Sequence, residues 1–243
     1  MKEIAIKVPI ESPSRVDIYR MFDKISTRYD LLNRVLSLGM DLYWRRVAIR
    51  ELDNEKHLRV LDLACGTGDI AMAAAKATTR RQVIGIDRAE QMLALAYSKV
   101  FRGLLSSQIL LACGDGMNIP VADGSMDAAT IAFGIRNMPD TSLCLVEMKR
   151  TLRTNGKLIV LEFSLPKNRI LRSLHLFYLR RILPVIGRWL SGDNYAYSYL
   201  NKTIETYPHG AQFVELMQKA GFTDVQCRPL TLGIVSLYTG IKN

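Results

Sequence analysis

A short apolar run that breaks into two glycines and continues as a helix constrains this chain more than anything else in it. Val60-Leu-Asp-Leu-Ala-Cys-Gly-Thr-Gly-Asp69 reads as a strand, a tight turn and a helix start. Glycine is needed in such a turn so that the backbone bends sharply and a ligand can approach the peptide groups. From there the chain alternates short apolar runs with longer amphipathic ones, the pattern of βα units on a parallel sheet. Strands are predicted at Arg59–Leu63, Gln82–Ile86, Ile109–Ala112, Ala128–Phe133 and Lys157–Phe163, with helices at Ile70–Ala77, Ala89–Phe101 and Leu143–Leu152. The last of these is expected to stop near Asn155-Gly156. A closing helix, Ala211–Ala220, precedes strands Thr223–Arg228 and Ile234–Gly240. The expected organisation is one α/β domain of 243 residues: an N-terminal helical lid (1–57), a ligand-binding core (58–165), a helical insertion (166–206) and a closing helix with strands (207–243).

The turn alone leaves its ligand open. Gly66-x-Gly68-x-x-Ala71 also satisfies the loose dinucleotide fingerprint, and Asp87, ending the second strand, can hold the ribose hydroxyls of either NAD or S-adenosylmethionine. Three features favour the sulfonium. Asp62, just before the turn, suits the ammonium of a methionyl group and repels a pyrophosphate. Asp115, after the third strand in Cys113-Gly-Asp-Gly-Met-Asn-Ile-Pro120, can accept from an adenine amino group. The Tyr-x-x-x-Lys pair of short-chain dehydrogenases occurs only as Tyr238 and Lys242, across Gly240 and far from any catalytic helix.

The constellation Asp62, Gly66-Thr67-Gly68, Asp87 and Asp115 resembles that of the class I S-adenosylmethionine-dependent methyltransferases. The resemblance implies a Rossmann-like seven-stranded sheet with helices on both faces and an antiparallel last strand. It also implies that Asp62, Gly66, Thr67, Gly68, Asp87, Asp115, Gly116 and Ala132 contact the cofactor, with no metal.

Three further segments narrow the likeness. They are Met21-Phe22-Asp23 with Arg28-Tyr29-Asp30-Leu31-Leu32-Asn33, Leu36-Ser37 and Trp44-Arg45-Arg46; Ile131-Ala-Phe-Gly-Ile-Arg-Asn-Met-Pro-Asp140; and Glu162-Phe163-Ser164 leading to Tyr195, Tyr197, Tyr199 and Leu200. Together they look like the quinone C-methyltransferases of the UbiE/MenG family, whose reaction is methylation of a prenylated quinol ring. A naphthoquinol, demethylmenaquinol, is the favoured acceptor; a ubiquinone precursor, a phylloquinone-type ring or another lipid-like small molecule is the alternative. Arg136 and Asn137, just past the fourth strand, are the leading catalytic pair, since a cation and an amide beside a ring oxygen ease its ionisation. His209 is a candidate proton shuttle, because imidazole titrates near neutral pH. Tyr29, Asp30, Asn33, Phe133, Tyr178 and Tyr195 are expected to contact the substrate.

Charge bears on partners. Lys and Arg number 33 against 23 Asp and Glu, a net charge of +10. That surplus suits an anionic partner, nucleic acid or membrane. Aromatic residues do not alternate with Lys and Arg on any predicted strand, as base stacking would require, so nucleic acid is not expected. The first residues carry charge and lack the apolar core of a signal peptide. The apolar stretch from Ile170 to Leu190 is interrupted by Arg172, Arg180, Arg181, Pro184 and Arg188, so it should not span a bilayer. Its apolar residues Ile170, Leu171, Leu174, Phe177, Tyr178, Ile182, Val185, Ile186 and Trp189 can instead form a face for peripheral contact with anionic membranes. Four scattered cysteines without a C-x-x-C pair fit a reducing, cytoplasmic setting. A homodimer is compatible with the chain.

Overall fold

The structure, a computed structural model, describes Asp23, Ser26, residues 29–186 and residues 194–243, with side chains in the last segment from Tyr199 onward. Met21, Phe22, Arg28, Arg188, Trp189 and the side chains of Tyr195 and Tyr197 lie outside the described residues.

Seven strands form one sheet in the order β3-β2-β1-β4-β5-β7-β6. They are β1 (Arg59–Leu63), β2 (Gln82–Asp87), β3 (Ile109–Cys113), β4 (Met126–Ala132), β5 (Leu152–Phe163), β6 (Phe222–Leu230) and β7 (Val235–Lys242). β1 through β5 pair in parallel, and β7 runs antiparallel to both β5 and β6. β1 and β4 are buried almost throughout, as central parallel strands covered on both faces are, and each carries buried polar residues among its apolar ones: Asp62 in β1, Asp127 and Thr130 in β4. Strand order reverses between β1 and β4, and such a reversal opens a crevice at the carboxyl ends of the strands.

The helices α1 (Met40–Ile49), α2 (Asp69–Ala77), α3 (Glu90–Arg102), α4 (Thr141–Thr151), α5 (Arg169–Phe177), α6 (Asn194–Thr206) and α7 (Ala211–Lys219) complete the fold. Gly68 stands directly before α2 at φ +82°, and a Cβ there would lie 3.3 Å from the Ala96 Cβ of α3. One prediction is displaced. Asn155-Gly156 does not separate helix from strand: α4 stops at Thr151, and β5 meets β4 at Leu152 before the turn and at Lys157 after it. Asn155, at φ 61°, makes the bend within the strand, as its short polar side chain tolerates.

Both attachments lie against the carboxyl edge of the sheet. Residues 29–36 are helical and turn through Leu38 (φ 53°) and Gly39 (φ 77°) into α1. Trp44 of α1 is buried, and its indole N–H donates to Thr231 Oγ1 at 2.7 Å, tying the lid to the β6–β7 connection. The insertion continues from α5 through a π-helical turn, Tyr178–Ile182, and packs Leu179, Leu183 and Ile204 against Leu32 and Leu165. Its inner side therefore fills a small core of its own, while Ile170, Leu174, Phe177, Ile182 and Val185 stay exposed. Among the described residues no helix is long and apolar enough to cross a membrane.

Candidate active site

Two cavities open at the carboxyl edge. The smaller is lined by the ends of β1 (Leu63, Ala64, Gly66), β2 (Ile86, Asp87), β3 (Gly114, Gly116) and β4 (Ala132, Phe133). Gly66, at φ +54°, has nothing within 4 Å of where a Cβ would stand, so its backbone is open to a ligand. Asp87 holds the loop in place: its Oδ2 accepts from Gly66 N–H at 2.7 Å and its Oδ1 from Ala89 N–H at 2.9 Å. Burial pushes the Asp87 carboxyl up, and those backbone donors oppose the shift.

Neither Gly68 nor Asp62 lines either cavity; Asp62 lies near the carboxyl end of β1. It is 1% exposed, its Oδ1 accepts from the Thr130 hydroxyl at 2.8 Å, the Ala71 backbone N–H also favours the carboxylate, and Oδ2 is left without a well-formed hydrogen bond. Burial lifts its pKa to about 7. A cationic ligand group beside Oδ2 would complete this carboxylate and restore its charge.

Thr67 and Asp115 sit differently from the expectation. Thr67 is buried behind the loop, donating to Asp30 Oδ1 at 2.6 Å, while Lys99 bridges Asp30 (2.8 Å) and Asp69 (2.6 Å). Asp30 lines neither cavity, so its observed part is to latch the lid to the loop rather than to touch substrate. Asp115 also lines neither: its Oδ2 takes Arg88 at 2.6 Å and its Oδ1 the Met117 N–H, leaving Gly114 and Gly116 to form the wall.

The larger cavity, about 420 Å³, is walled mainly by apolar side chains of the lid, the insertion and the β6–β7 connection. Tyr29 and Phe133 line both cavities and so form the partition between them. Phe133 holds a left-handed backbone (φ 58°), a conformation bulky residues rarely take and one that concentrates at functional sites. Its ring stands 4.7 Å from Phe163 and 6.0 Å from Trp44.

Arg136 and Asn137, adjacent in the chain, face different cavities. Arg136 lines the larger one, Asn137 the smaller. The Arg136 guanidinium donates to Glu162 Oε1 at 2.7 Å and Phe133 O at 2.6 Å, lies 5.2 Å from the Phe163 ring centre, and keeps a buried Nε without a partner. Asn137 Oδ1 accepts from Tyr199 at 3.1 Å. Asn33 and Tyr178 also line the larger cavity, the Tyr178 hydroxyl donating to Leu36 O at 2.8 Å.

His209 is not brought to the site. It lines neither cavity, and its Nδ1 stands 3.2 Å from Tyr207 O at the entry to α7.

Three contributors escaped sequence reasoning. Glu162, 2% exposed, neutralises Arg136; an acid inside an otherwise apolar parallel strand was the signal available. Arg45, anchored on buried Asp41 at 2.7 Å, lies 5.5 Å from the Phe133 ring centre and lines the larger cavity. His175, buried in the same wall with an unpartnered Nε2, has its pKa lowered by burial. No local motif marks it.

Residues 11–242 match the model of the ubiE/COQ5 methyltransferase family. The chain belongs to that family. A ubiquinone/menaquinone biosynthesis C-methyltransferase UbiE of Syntrophotalea carbinolica is 43% identical over 93% of this chain and 94% of its own length. A demethylmenaquinone methyltransferase of Bacteroides fragilis is 41% identical over 93% of this chain and 92% of its own. Among solved structures, a putative S-adenosyl-L-methionine-dependent methyltransferase from Methanococcus maripaludis superposes with a TM-score of 0.65 at 18% identity, covering 91% of this chain and 94% of that one. At that identity the likeness carries the fold, and it agrees with the seven-stranded mixed sheet. Membership of the family makes this chain a methyltransferase, and the alternative of an NAD-dependent oxidoreductase falls.

Proposed function

We propose that the chain transfers a methyl group from S-adenosylmethionine to a ring carbon of a reduced, prenylated quinone, with demethylmenaquinol as the acceptor. One observation carries this reading: a glycine-loop cavity and a large apolar cavity meet at Tyr29 and Phe133. The named activities of the relatives, quinone C-methylation, agree with it.

The residues present fit the cofactor. Asp87 lines the glycine-loop cavity and suits its ribose, and Gly66, Gly116 and Ala132 leave backbone and space beside it; Asp62, one residue before Leu63 of that wall and buried with an open Oδ2, suits its ammonium. When bound, it supplies an electrophilic methyl on a sulfonium. A quinol is electron-rich, so its ring carbon needs only alignment with that methyl and help in ionising the neighbouring hydroxyl. Arg136 stabilises the phenolate oxygen, Glu162 fixes the guanidinium and keeps the wall neutral beforehand, and Asn137 orients groups on the cofactor side. The new C–C bond forms as the S–CH₃ bond breaks. Transfer replaces the ring hydrogen by the methyl with release of one proton in all: the ionised hydroxyl regains its proton as the methylated ring carbon sheds its hydrogen on rearomatising. Tyr178, Phe133 and Asn33 enclose the ring in a wall that excludes water. The acceptor's tail stays in the bilayer, so the enzyme works in peripheral contact with an anionic membrane.

Incubation with S-adenosylmethionine and chemically reduced, short-chain demethylmenaquinone, followed by mass spectrometry, tests this. The expected product is heavier by one methylene and carries the methyl on the ring. Methylation of a benzoquinol precursor alone would move the acceptor to the ubiquinone branch, and no product with either ring would refute quinol methylation.

A further inference from the structure

The larger cavity reaches solvent through residues that are at once part of its wall and exposed. Among the described residues there are three, and all are leucine: Leu38 (87% exposed), Leu174 (62%) and Leu232 (72%). They come from three separate parts of the chain: the turn before α1, the middle of α5 and the connection between β6 and β7. Two of them hold left-handed backbones, Leu38 at φ 53° and Leu232 at φ 58°. A bulky residue in that conformation costs about 1–3 kcal/mol, and the turns that impose it here, closed by the Gly39 N–H to Arg34 O and the Ile234 N–H to Thr231 O, set both leucines at the cavity mouth. Exposed leucine at the mouth of an apolar cavity is an uneconomical use of surface unless something covers it.

The surroundings identify the cover. On α5, exposed Ile170 and Phe177 flank Leu174 at helical spacing, and Ile182 and Val185 continue the stripe. Arg169, Arg172 and Arg181 are exposed along the same run. An apolar stripe edged by arginines is the pattern of a helix lying in a membrane interface, apolar side in the acyl boundary and cations at anionic headgroups.

We propose that Leu38, Leu174 and Leu232 form a collar that inserts into one leaflet of an anionic bilayer, sealing the cavity mouth against the membrane so that a lipid acceptor passes from acyl chains to site without crossing water. The proposal rests on the acceptor being a membrane lipid. It adds which surface docks, how it is oriented, and where the acceptor enters.

Leu104 is the internal control. It is as exposed (88%) and as left-handed (φ 56°) as the collar leucines, but it follows α3 at the amino edge of the sheet and lines neither cavity. Single variants Leu38→Cys, Leu174→Cys, Leu232→Cys and Leu104→Cys, made with exposed Cys113 replaced by Ser, would be labelled with an environment-sensitive nitrobenzoxadiazole dye. They would be mixed with vesicles of equimolar phosphatidylethanolamine and phosphatidylglycerol, with and without nitroxide-labelled lipid. The expected result is a blue-shifted, several-fold brighter emission at 38, 174 and 232 that nitroxide lipid quenches, and no change at 104. Unchanged emission at 38 and 232, or an equal response at 104, would overturn the collar. A blue shift that is present without vesicles and grows with protein concentration would give the surface to a second copy of the chain and overturn it too. The unlabelled parent, assayed on a soluble short-chain naphthoquinol, tests the acceptor separately: methylation without a vesicle-dependent shift removes the collar alone, and a shift without methylation of any quinol removes the acceptor alone.

Discussion

Asp62 shows how one side chain can be costly to the empty protein and useful to the loaded one. A carboxyl whose pKa rises on folding, here from 3.8 to about 7, is bound to its proton more tightly in the folded state. Stability from this group is therefore fully present below pH 3.8 and is lost as pH rises through about 7. Asp62→Asn does not titrate and retains an acceptor for Thr130. Chemical denaturation without cofactor should find the variant equal to the parent near pH 4 and more stable by roughly 1–4 kcal/mol at pH 8. Calorimetry should find at least a tenfold loss of S-adenosylmethionine affinity in the same variant, the worth of one charge-assisted contact. A parent-like affinity would take the ammonium elsewhere. The Arg136–Glu162 pair permits a second comparison. Arg136→Ala should lower turnover on a reduced quinone while sparing cofactor affinity. Glu162→Gln leaves a buried guanidinium without its counter-charge, and denaturant titration should record a loss of about 3–5 kcal/mol. A smaller loss would mean that water reaches the pair.

At the scale of elements, the insertion has two faces of different use. Its inner side chains build the cavity wall, and its outer ones present arginines and apolar residues to solvent. The arginines are not equivalent. Arg180 is held by Glu205 through two contacts, at 2.8 and 2.5 Å, so its charge is already matched, while exposed Arg172 acts on the same carboxylate through space and Arg169 is exposed at the start of α5. Replacing Arg169, Arg172 and Arg181 with Gln should weaken co-sedimentation with anionic liposomes by about 1 kcal/mol per residue and raise the Michaelis constant for a long-chain quinol. Adding Arg180→Gln should change binding little further. Equal sedimentation of the triple variant and the parent at low salt would show these charges to be a solvated face only.

For the whole molecule, the lid, core loop and closing strands are tied into one unit around the site. Asp30 reaches Thr67 and Lys99, Arg34 reaches Asp69, and Trp44 reaches Thr231. A ligand bound beside the glycine loop thus braces the lid as well as the core. Saturation with S-adenosylhomocysteine at about a hundred times its dissociation constant should stabilise the protein by about 2.7 kcal/mol and raise Tm by about 5–10 °C in one cooperative transition. Separate transitions for lid and core would contradict that coupling.

The order of strands and helices, the glycine loop and the two acids beside it follow from local pattern: apolar runs of strand length, glycines where φ turns positive, and an acid at a strand end are all set by near neighbours in the chain. The split of Arg136 and Asn137 between two cavities, the burial of Glu162 against Arg136, the withdrawal of His209 and the meeting of Leu38, Leu174 and Leu232 at one mouth were decided only by the tertiary structure. Each depends on segments far apart in sequence: the 29–49 lid, α5, and the β6–β7 connection that antiparallel β7 carries to the same edge as the end of β5. Local propensity has no reach over such distances. Packing of the lid and insertion against the carboxyl edge places these side chains together, and the apolar surface buried there is what holds them.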